Sequence, residues 1–530
     1  MQLRALANSS FPKLAWVAEV DRTDGIVVLL HGNLVEVRSN FFIEGVWNGA
    51  FQDGDFGETD CVFGTGGILQ GESVRFVTSA STTDSLYYKE DGAHLTVSNS
   101  LPLLLAYSED SLDPRCQEYP EICDSIKDGI NHYRRDIPTK RGKVQRLMYR
   151  NLDVRRERIF ESEKRMPPRF GCFKDYRDYL RANYALIAAN ARDAARTEPL
   201  EIVSTQSTGY DTTAVNALAG PYGIAKVFTV TKSKNIHRFA HQDEGELPDD
   251  DGGEICKSLG LRCIQLNRRA FVEEFEQEYL YYCALYHNQD ANLLEMNKHI
   301  SKGTVLLTGH GGSIWYTKDS GDRELRKDWL DSELSRSDPG GLGMAELRLV
   351  VGFIHLPLPY IGARRPWDIV NITESSEMDP WRLGQVYDRP IARRIAEEAG
   401  VPRQLFGRSK KGSVVIFPNP PVPYGKALRL EFFQYLVDEK IMTRASIQLW
   451  PFVRWVNAIL TVKSPRRFAL VYYAERVISK LTGRKFHFKF MWPRFNGTLF
   501  CFCVNRTART YAEHIARMKQ HELSGRSIAS

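Results

Sequence analysis

The chain has 530 residues, a formal net charge of +6, 43% hydrophobic and 26% charged residues. That length exceeds one ordinary domain and predicts two or three with a sizeable core. Nine scattered cysteines, an odd number, exclude a disulfide framework and predict a reducing cytoplasm.

The start, Met1-Gln2-Leu3-Arg4, lacks the apolar run of a signal peptide, and no stretch is long enough to span a bilayer. Basic runs at 134–169 and from Arg454 onward read as solvated faces, so no nucleic-acid partner is expected.

From Leu14 to Tyr107 short apolar segments alternate with turn signals. Gly25–Asn33 and Val74–Thr78 read as strands. Leu86–Tyr88 and His94–Val97 read as a hairpin around Glu90-Asp91-Gly92, whose Asp-Gly suits a type I′ turn. Ser98–Pro102 then starts a short apolar helix, Leu103–Ala106. The expectation is a β-rich layer up to about residue 160. The charged stretch 134–169 has little periodicity and is the expected junction.

Beyond it, Asp175–Ala195 has helical spacing of apolar residues. Glu201-Ile202-Val203-Ser204-Thr205 reads as a strand that runs into Gln206-Ser207-Thr208-Gly209 and restarts as a helix at Tyr210-Asp211-Thr212-Thr213. Such a strand–loop–helix turns backbone N–H groups and the helix dipole toward one spot, which favours an anion. A capped helix is the alternative, because Ser and Thr are ordinary caps. Ile224–Val230, Leu261–Leu266 and Gly303–Thr308 read as strands, separated by helices at 250–260 and 269–286. This alternation predicts a doubly wound parallel sheet with ligands beyond the carboxyl ends of its strands.

The last of those strands enters a second glycine-rich loop, Gly309-His310-Gly311-Gly312-Ser313-Ile314-Trp315. A helix over 388–400 leads to the basic loop Phe406–Ser413, either a solvated turn or a carrier of lysine to a phosphate. The tail is helical, with a strand-like pair at Asn496-Gly497. Its aromatic set, including Trp450, Phe452, Trp455 and Trp492, reads as packing, with peripheral membrane contact as the alternative.

Ser207-Thr208-Gly209-Tyr210-Asp211-Thr212 resembles the Ser-Gly-Gly-x-Asp-Ser pyrophosphate loop of ATP pyrophosphatases. Thr308–Ser313 and Arg408-Ser409-Lys410-Lys411-Gly412 resemble two further loops of the asparagine synthetase family, which includes β-lactam and lasso-peptide macrolactam synthetases. Asp249–Leu261 is similar to that family's acidic segment and helix. Tyr87 to Pro102 is similar to the end of its glutaminase-type domain. The resemblance implies a β-rich glutaminase-like (Ntn-type) domain over 1–160. A doubly wound α/β ATP-pyrophosphatase domain with a helical C-terminal part would fill 161–530.

It further implies adenylation of a small-molecule or peptide carboxylate by ATP, release of pyrophosphate, and amide formation with an amine. Ser207, Thr208, Gly209, Asp211 and Thr212 would cradle pyrophosphate, with Asp211 on Mg2+. Val230 and Gly309 would border adenosine. Lys410 would stabilise transition-state charge. His310 would stand where the family has a catalytic glutamate or tyrosine, as general base or as a structural histidine. A homodimer or a pathway partner protein is compatible with this reading.

Three features depart from the family. Position 2 is Gln2 and not the nucleophilic cysteine, so no glutaminase activity is expected. Thr208 replaces a glycine and would resist a positive φ. Ser313 and Ile314 replace acidic residues, with Asp290 or Asp368 as candidate substitutes. The expectation is an ATP-dependent amide synthetase without glutaminase activity; the alternative is a pseudoenzyme that binds a nucleotide or a partner.

Overall fold

Thirteen strands precede residue 163, and they form two sheets that are antiparallel throughout except at one edge. In the computed structural model the described residues are 1–231, 250–267, 277–284, 288–289, 296–315, 344–384, 387–407, 417–418, 422–423, 425–449, 451–452, 476–483 and 496–526. One sheet runs β1(Gln2–Ala7)-β3(Ile26–His31)-β2(Trp16–Asp21)-β9(His94–Ser98)-β8(Leu86–Asp91)-β11(Gly142–Leu147)-β10(Asp136–Thr139). The other runs β13(Ile159–Ser162)-β12(Asn151–Arg155)-β7(Ser73–Val77)-β6(Val62–Gln70)-β5(Phe41–Trp47)-β4(Glu36–Val37).

Alternation along these strands gives each sheet an inner face, and the inner faces meet in one apolar layer. Trp16 of β2 lies 5.0 Å edge-on from Phe42 of β5 and 6.0 Å from the stacked ring of Phe76 in β7. Its indole N–H donates to Thr65 Oγ1 of β6 at 3.1 Å, so the buried ring keeps its polar end satisfied. On the outer face of the first sheet lies α1 (Leu101–Tyr107), capped by Ser100, whose Oγ accepts from Leu103 N at 3.1 Å.

The charged stretch 134–169 is not a bare junction. It supplies β10–β13, because outward-facing Arg and Lys on a half-exposed strand hide the apolar alternation beneath them. The hairpin β8–β9 forms, but its strands run on to Asp91 and His94. Among the described residues of its loop only Gly92 takes a positive φ (59°), which fits a II′ turn and not I′.

The second half of the chain begins with α2 (Phe173–Ala191) and builds a wholly parallel sheet. Its order is β16(Cys263–Asn267)-β15(Lys226–Thr231)-β14(Glu201–Thr205)-β18(Thr304–Thr308)-β19(Phe353–Pro357). A two-stranded ribbon, β17(Asn288–Gln289) with β20(Phe417–Pro418), lies apart from it. β18 and β19 are buried at every residue, as expected of strands covered on both faces. One face packs Val203, Phe228, Leu306 and Phe353 against Leu347 of α5 (Met344–Val351). The other face packs Ile202, Val305 and Leu356 with Ala214, Val215 and Leu218 of α3 (Tyr210–Ala219). The protein is therefore mixed α/β, an antiparallel-rich first part followed by a parallel sheet.

Between β15 and β16 lies the short α4 (Gly253–Ser258), closed by Gly260 at φ 66°. After β19 come α6 (Pro366–Glu374), α7 (Pro390–Glu398) and α8 (Lys426–Asp438). The chain around Asn496-Gly497 is not a strand pair; it opens α9, Asn496–Arg526. No helix among the described residues is long and apolar enough to cross a membrane.

The two halves share buried polar contacts. Arg348 of α5 donates to both oxygens of Glu44 in β5 at 2.8 and 3.0 Å. Its Nε lies 2.7 Å from Asp84, and all three side chains are at most 2% exposed.

Candidate functional site

The strand order starts in the middle of the sheet, at β14, grows to one side through β15 and β16, then crosses back to β18. The carboxyl ends of β14 and β18 therefore flank the point where the strand order reverses, the place where doubly wound sheets carry their ligands. Both glycine-bearing loops predicted from sequence leave those two strand ends.

The first loop is held by its own hydroxyls. Ser207 Oγ accepts from Gly209 N at 3.1 Å and lies 3.0 Å from Thr212 Oγ1. Gln206 donates to Thr213 Oγ1 at 3.0 Å and accepts from Asn216 at 2.7 Å, tying the loop floor to α3. The helix opens at Gly209 with no side-chain cap, so its first-turn N–H groups keep their anion-binding capacity. Thr208 is not among the residues of positive φ, so the loop does not need the glycine that the resemblance suggested. Its side chain has an anchor instead: Thr208 N and Oγ1 donate to Asp250 at 2.9 and 2.6 Å.

The second loop lies directly on the first. A Cβ added at Gly309 would stand 2.6 Å from Asp211 Cβ and 2.7 Å from Thr212 N. One at Gly312 would stand 2.4 Å from Asp211 Oδ1. Real Cβ atoms do not come so close, so glycine at 309 and 312 is what lets the loops meet. Gly311 takes φ 80° against the ring of Tyr360. His310 is half-buried, with ring centroids 6.1 Å from His355 and 6.5 Å from the parallel ring of Tyr360. His355 Nε2 lies 2.7 Å from Thr308 Oγ1, which also accepts from His310 N at 3.4 Å.

A third segment packs onto the first loop. Gly407 N donates to the carbonyl of Thr208 at 2.9 Å. Arg393 of α7 donates to the hydroxyl of Tyr210, and Arg389, the residue before Pro390, forms an ion pair with Asp211. Arg389 is 3% exposed. Burial pushes its pKa down, and the Tyr210 phenol beside it opposes that loss of charge only in part.

Ser207, Thr208, Gly209, Asp211, Thr212, Gly309 and His310 are thus brought together at the ends of β14 and β18. Val230 is half-buried near the same end of the adjacent β15, next to Thr231. Lys410 lies outside the described residues, three positions after Gly407. Asp290 also lies outside them. Asp368 holds Arg169 at 3.1 Å and the N–H of Phe170 at 3.0 Å. Ser313 and Ile314 sit in the 3-10 turn Gly312–Trp315, pinned by the Trp315 indole N–H to Tyr176 Oη at 3.0 Å.

The residue expected to hold Mg2+ is Asp211. Among the described residues no group of three His, Cys, Asp or Glu side chains could hold a metal, and Asp211 already has a guanidinium against it. Two residues of the crevice were not picked out in the sequence, Asp250 and Arg389. Asp250 had a signal in the acidic run before α4; Arg389 had none beyond its place before a helix-opening proline.

Gln2 opens β1, an exposed edge strand, and the amino group of Met1 donates to the carbonyl of Gly71. Compared with known proteins, the chain matches no family model and no curated sequence.

Proposed function

We propose that the protein is an ATP-dependent carbon–nitrogen ligase that adenylates a carboxylate and forms an amide without its own glutaminase activity. The observation that carries this reading is the meeting of the two loops at the strand-order switch, with Gly309 against Asp211 and Thr212. In this reading residues 1–160 are a degenerate glutaminase-like domain, and 161–530 are the nucleotide-binding synthetase.

The roles follow from the chemistry present. First-turn N–H groups of α3 and the hydroxyls of Ser207 and Thr212 would receive the leaving pyrophosphate. Adenosine would lie toward Val230 and Gly309. His310, between His355 and Tyr360, would take the proton of the attacking amine. Lys410 would reach the developing charge from a loop whose base is fixed to Thr208 through Gly407. ATP is the proposed cosubstrate; no step is assigned to a metal ion on Asp211.

A second reading, a pseudoenzyme that binds a nucleotide or a partner, is favoured by the ion pair between Asp211 and Arg389. ATP–pyrophosphate exchange over a panel of carboxylates separates the two. The synthetase reading expects exchange with at least one carboxylate, lowered about a hundredfold or more by Lys410→Ala. ATP binding without exchange leaves the pseudoenzyme; exchange that survives Lys410→Ala sinks the residue assignment.

A further inference from the structure

We propose that the first half of the chain buttresses the site: Thr82 is a positioning residue that fixes the hydroxyl of Tyr360, and the Tyr360 ring in turn sets the place of His310. This rests on the reading of His310 as the base that takes the amine proton.

The segment between β7 and β8, Ser79-Ala80-Ser81-Thr82-Thr83-Asp84, is buried at every residue. Its polar side chains divide by position. Ser79 Oγ lies 3.1 Å from Ser81 Oγ, and Ser81 Oγ lies 2.7 Å from Thr83 Oγ1, so the odd positions hold one another. The even positions reach the second half: Thr82 Oγ1 lies 3.1 Å from Tyr360 Oη, and Asp84 Oδ1 lies 2.7 Å from Arg348 Nε. Thr82 is 0% exposed and Tyr360 6%, so this hydroxyl pair stands in for lost water.

Tyr360 ends the 3-10 turn Leu358–Tyr360 that follows β19, and two residues of the second loop meet its ring. A Cβ at Gly311 would stand 2.6 Å from Tyr360 Cε2. The His310 imidazole lies within 7° of parallel to that ring, with centroids 6.5 Å apart. Thr308 Oγ1 ties the base of the loop, accepting from His310 N at 3.4 Å and meeting His355 Nε2 at 2.7 Å. A ring anchored at its hydroxyl keeps its tilt, and proton transfer needs the base held in place by such supporting bonds. A first half that lacks the cysteine nucleophile thus keeps a part in the reaction.

The test uses the full chain with 13C-labelled histidine, the His310 ring signal being assigned by its loss in His310→Gln. Thr82→Val removes one hydroxyl at nearly the same shape, Tyr360→Phe removes the other, and Thr82→Ser keeps the bond. Thr82→Val and Tyr360→Phe are each expected to move the His310 signal, the double variant to move it no further, and Thr82→Ser to leave it at the wild-type place. On a carboxylate that supports ATP–pyrophosphate exchange, with ammonia as the amine, Thr82→Val is expected to slow amide formation about tenfold and to keep exchange within about twofold, because adenylation precedes the proton transfer. Should Thr82→Val fail to fold, Tyr360→Phe carries the same comparison. A His310 signal that stays in place in both variants, or equal losses of exchange and amide formation, overturns the inference and leaves the synthetase reading standing. A signal that moves as expected in a chain with no exchange on any carboxylate overturns the synthetase reading, and with it the role of His310, while the chain of contacts stands.

Discussion

The N–H of Gly407 reaches the carbonyl of Thr208 at 2.9 Å, at a position where φ is 69° and a Cβ would lie 2.4 Å from the ring of Tyr210. The start of the lysine loop is therefore stitched to the phosphate loop through a residue that tolerates no side chain. Gly407→Ala is expected to lower ATP–pyrophosphate exchange by about tenfold or more, through strain of roughly 1–3 kcal/mol at that position. Exchange and thermal melting measured on the same samples would separate a local effect from unfolding. Unchanged exchange would detach the lysine loop from the site.

Gly312 makes the complementary contact from the other side. Gly312→Ala would press a methyl group into the Asp211 carboxylate, so ATP affinity is expected to fall about tenfold while the melt changes little. Gly220 is the control: it lies at the far end of α3 in a helical conformation, and a methyl group there would stand 3.7 Å from its nearest neighbour, Leu261. Gly220→Ala is expected to leave ATP affinity unchanged, at a small cost in stability because a residue before Pro221 resists the helical conformation. Equal losses in both variants would point to general softening of α3.

Arg348 joins the two halves by charge. Arg348→Met leaves Glu44 and Asp84 buried and facing each other without a cation, at an expected cost of about 3–5 kcal/mol. Adding Glu44→Gln to that variant is expected to restore part of the loss, because one stranded charge is gone. Urea denaturation of the single and double variants measures both terms; simple additivity would deny that the three groups act as a unit.

Glu346 gives a pH dependence of known sign. It is wholly buried, accepts from Ser100 at 2.9 and 3.1 Å and from Tyr511 at 2.6 Å, and burial pushes its carboxyl from 4.5 up to about 7. The folded state thus keeps a proton that the unfolded chain releases. Its contribution is full below pH 4.5 and is lost as pH rises through 7, up to about 3 kcal/mol in all. Urea midpoints at pH 5 and pH 8 are expected to diverge more for wild type than for Glu346→Gln. Parallel behaviour of the two proteins would remove Glu346 as the titrating group.

Much of the second half was legible because its strands are uninterrupted apolar runs ended by small residues, as at Val203 to Gly209 and Val305 to Gly309. β19 was not, since Phe353-Ile354-His355-Leu356-Pro357 carries no alternation and ends in proline. β10–β13 were hidden beneath Arg and Lys on their exposed faces. Asn496-Gly497 looks like a turn locally, and only packing shows it opening a helix. In the site, loop residues that face each other along one strand–loop–helix unit could be read from spacing. Arg389 and Asp250 reach it from 178 and 42 positions away in sequence, counted to their partners Asp211 and Thr208, and no local pattern encodes such pairings.

The long final helix α9 lies along α1 and covers the outer face of the first sheet, with Asn505 bonded to Leu112 at 2.8 and 3.1 Å and His514 to Ser10 at 2.7 Å. Ser10 and His514 are 504 residues apart, so all of the chain between them must leave the ribosome before that face is covered. The early sheets can pair while translation continues, yet α1 has to wait with its leucines open to solvent or to a chaperone. Ribosome-arrested chains that stop before residue 496 are accordingly expected to be cut by protease near α1, and chains that include α9 to be protected there.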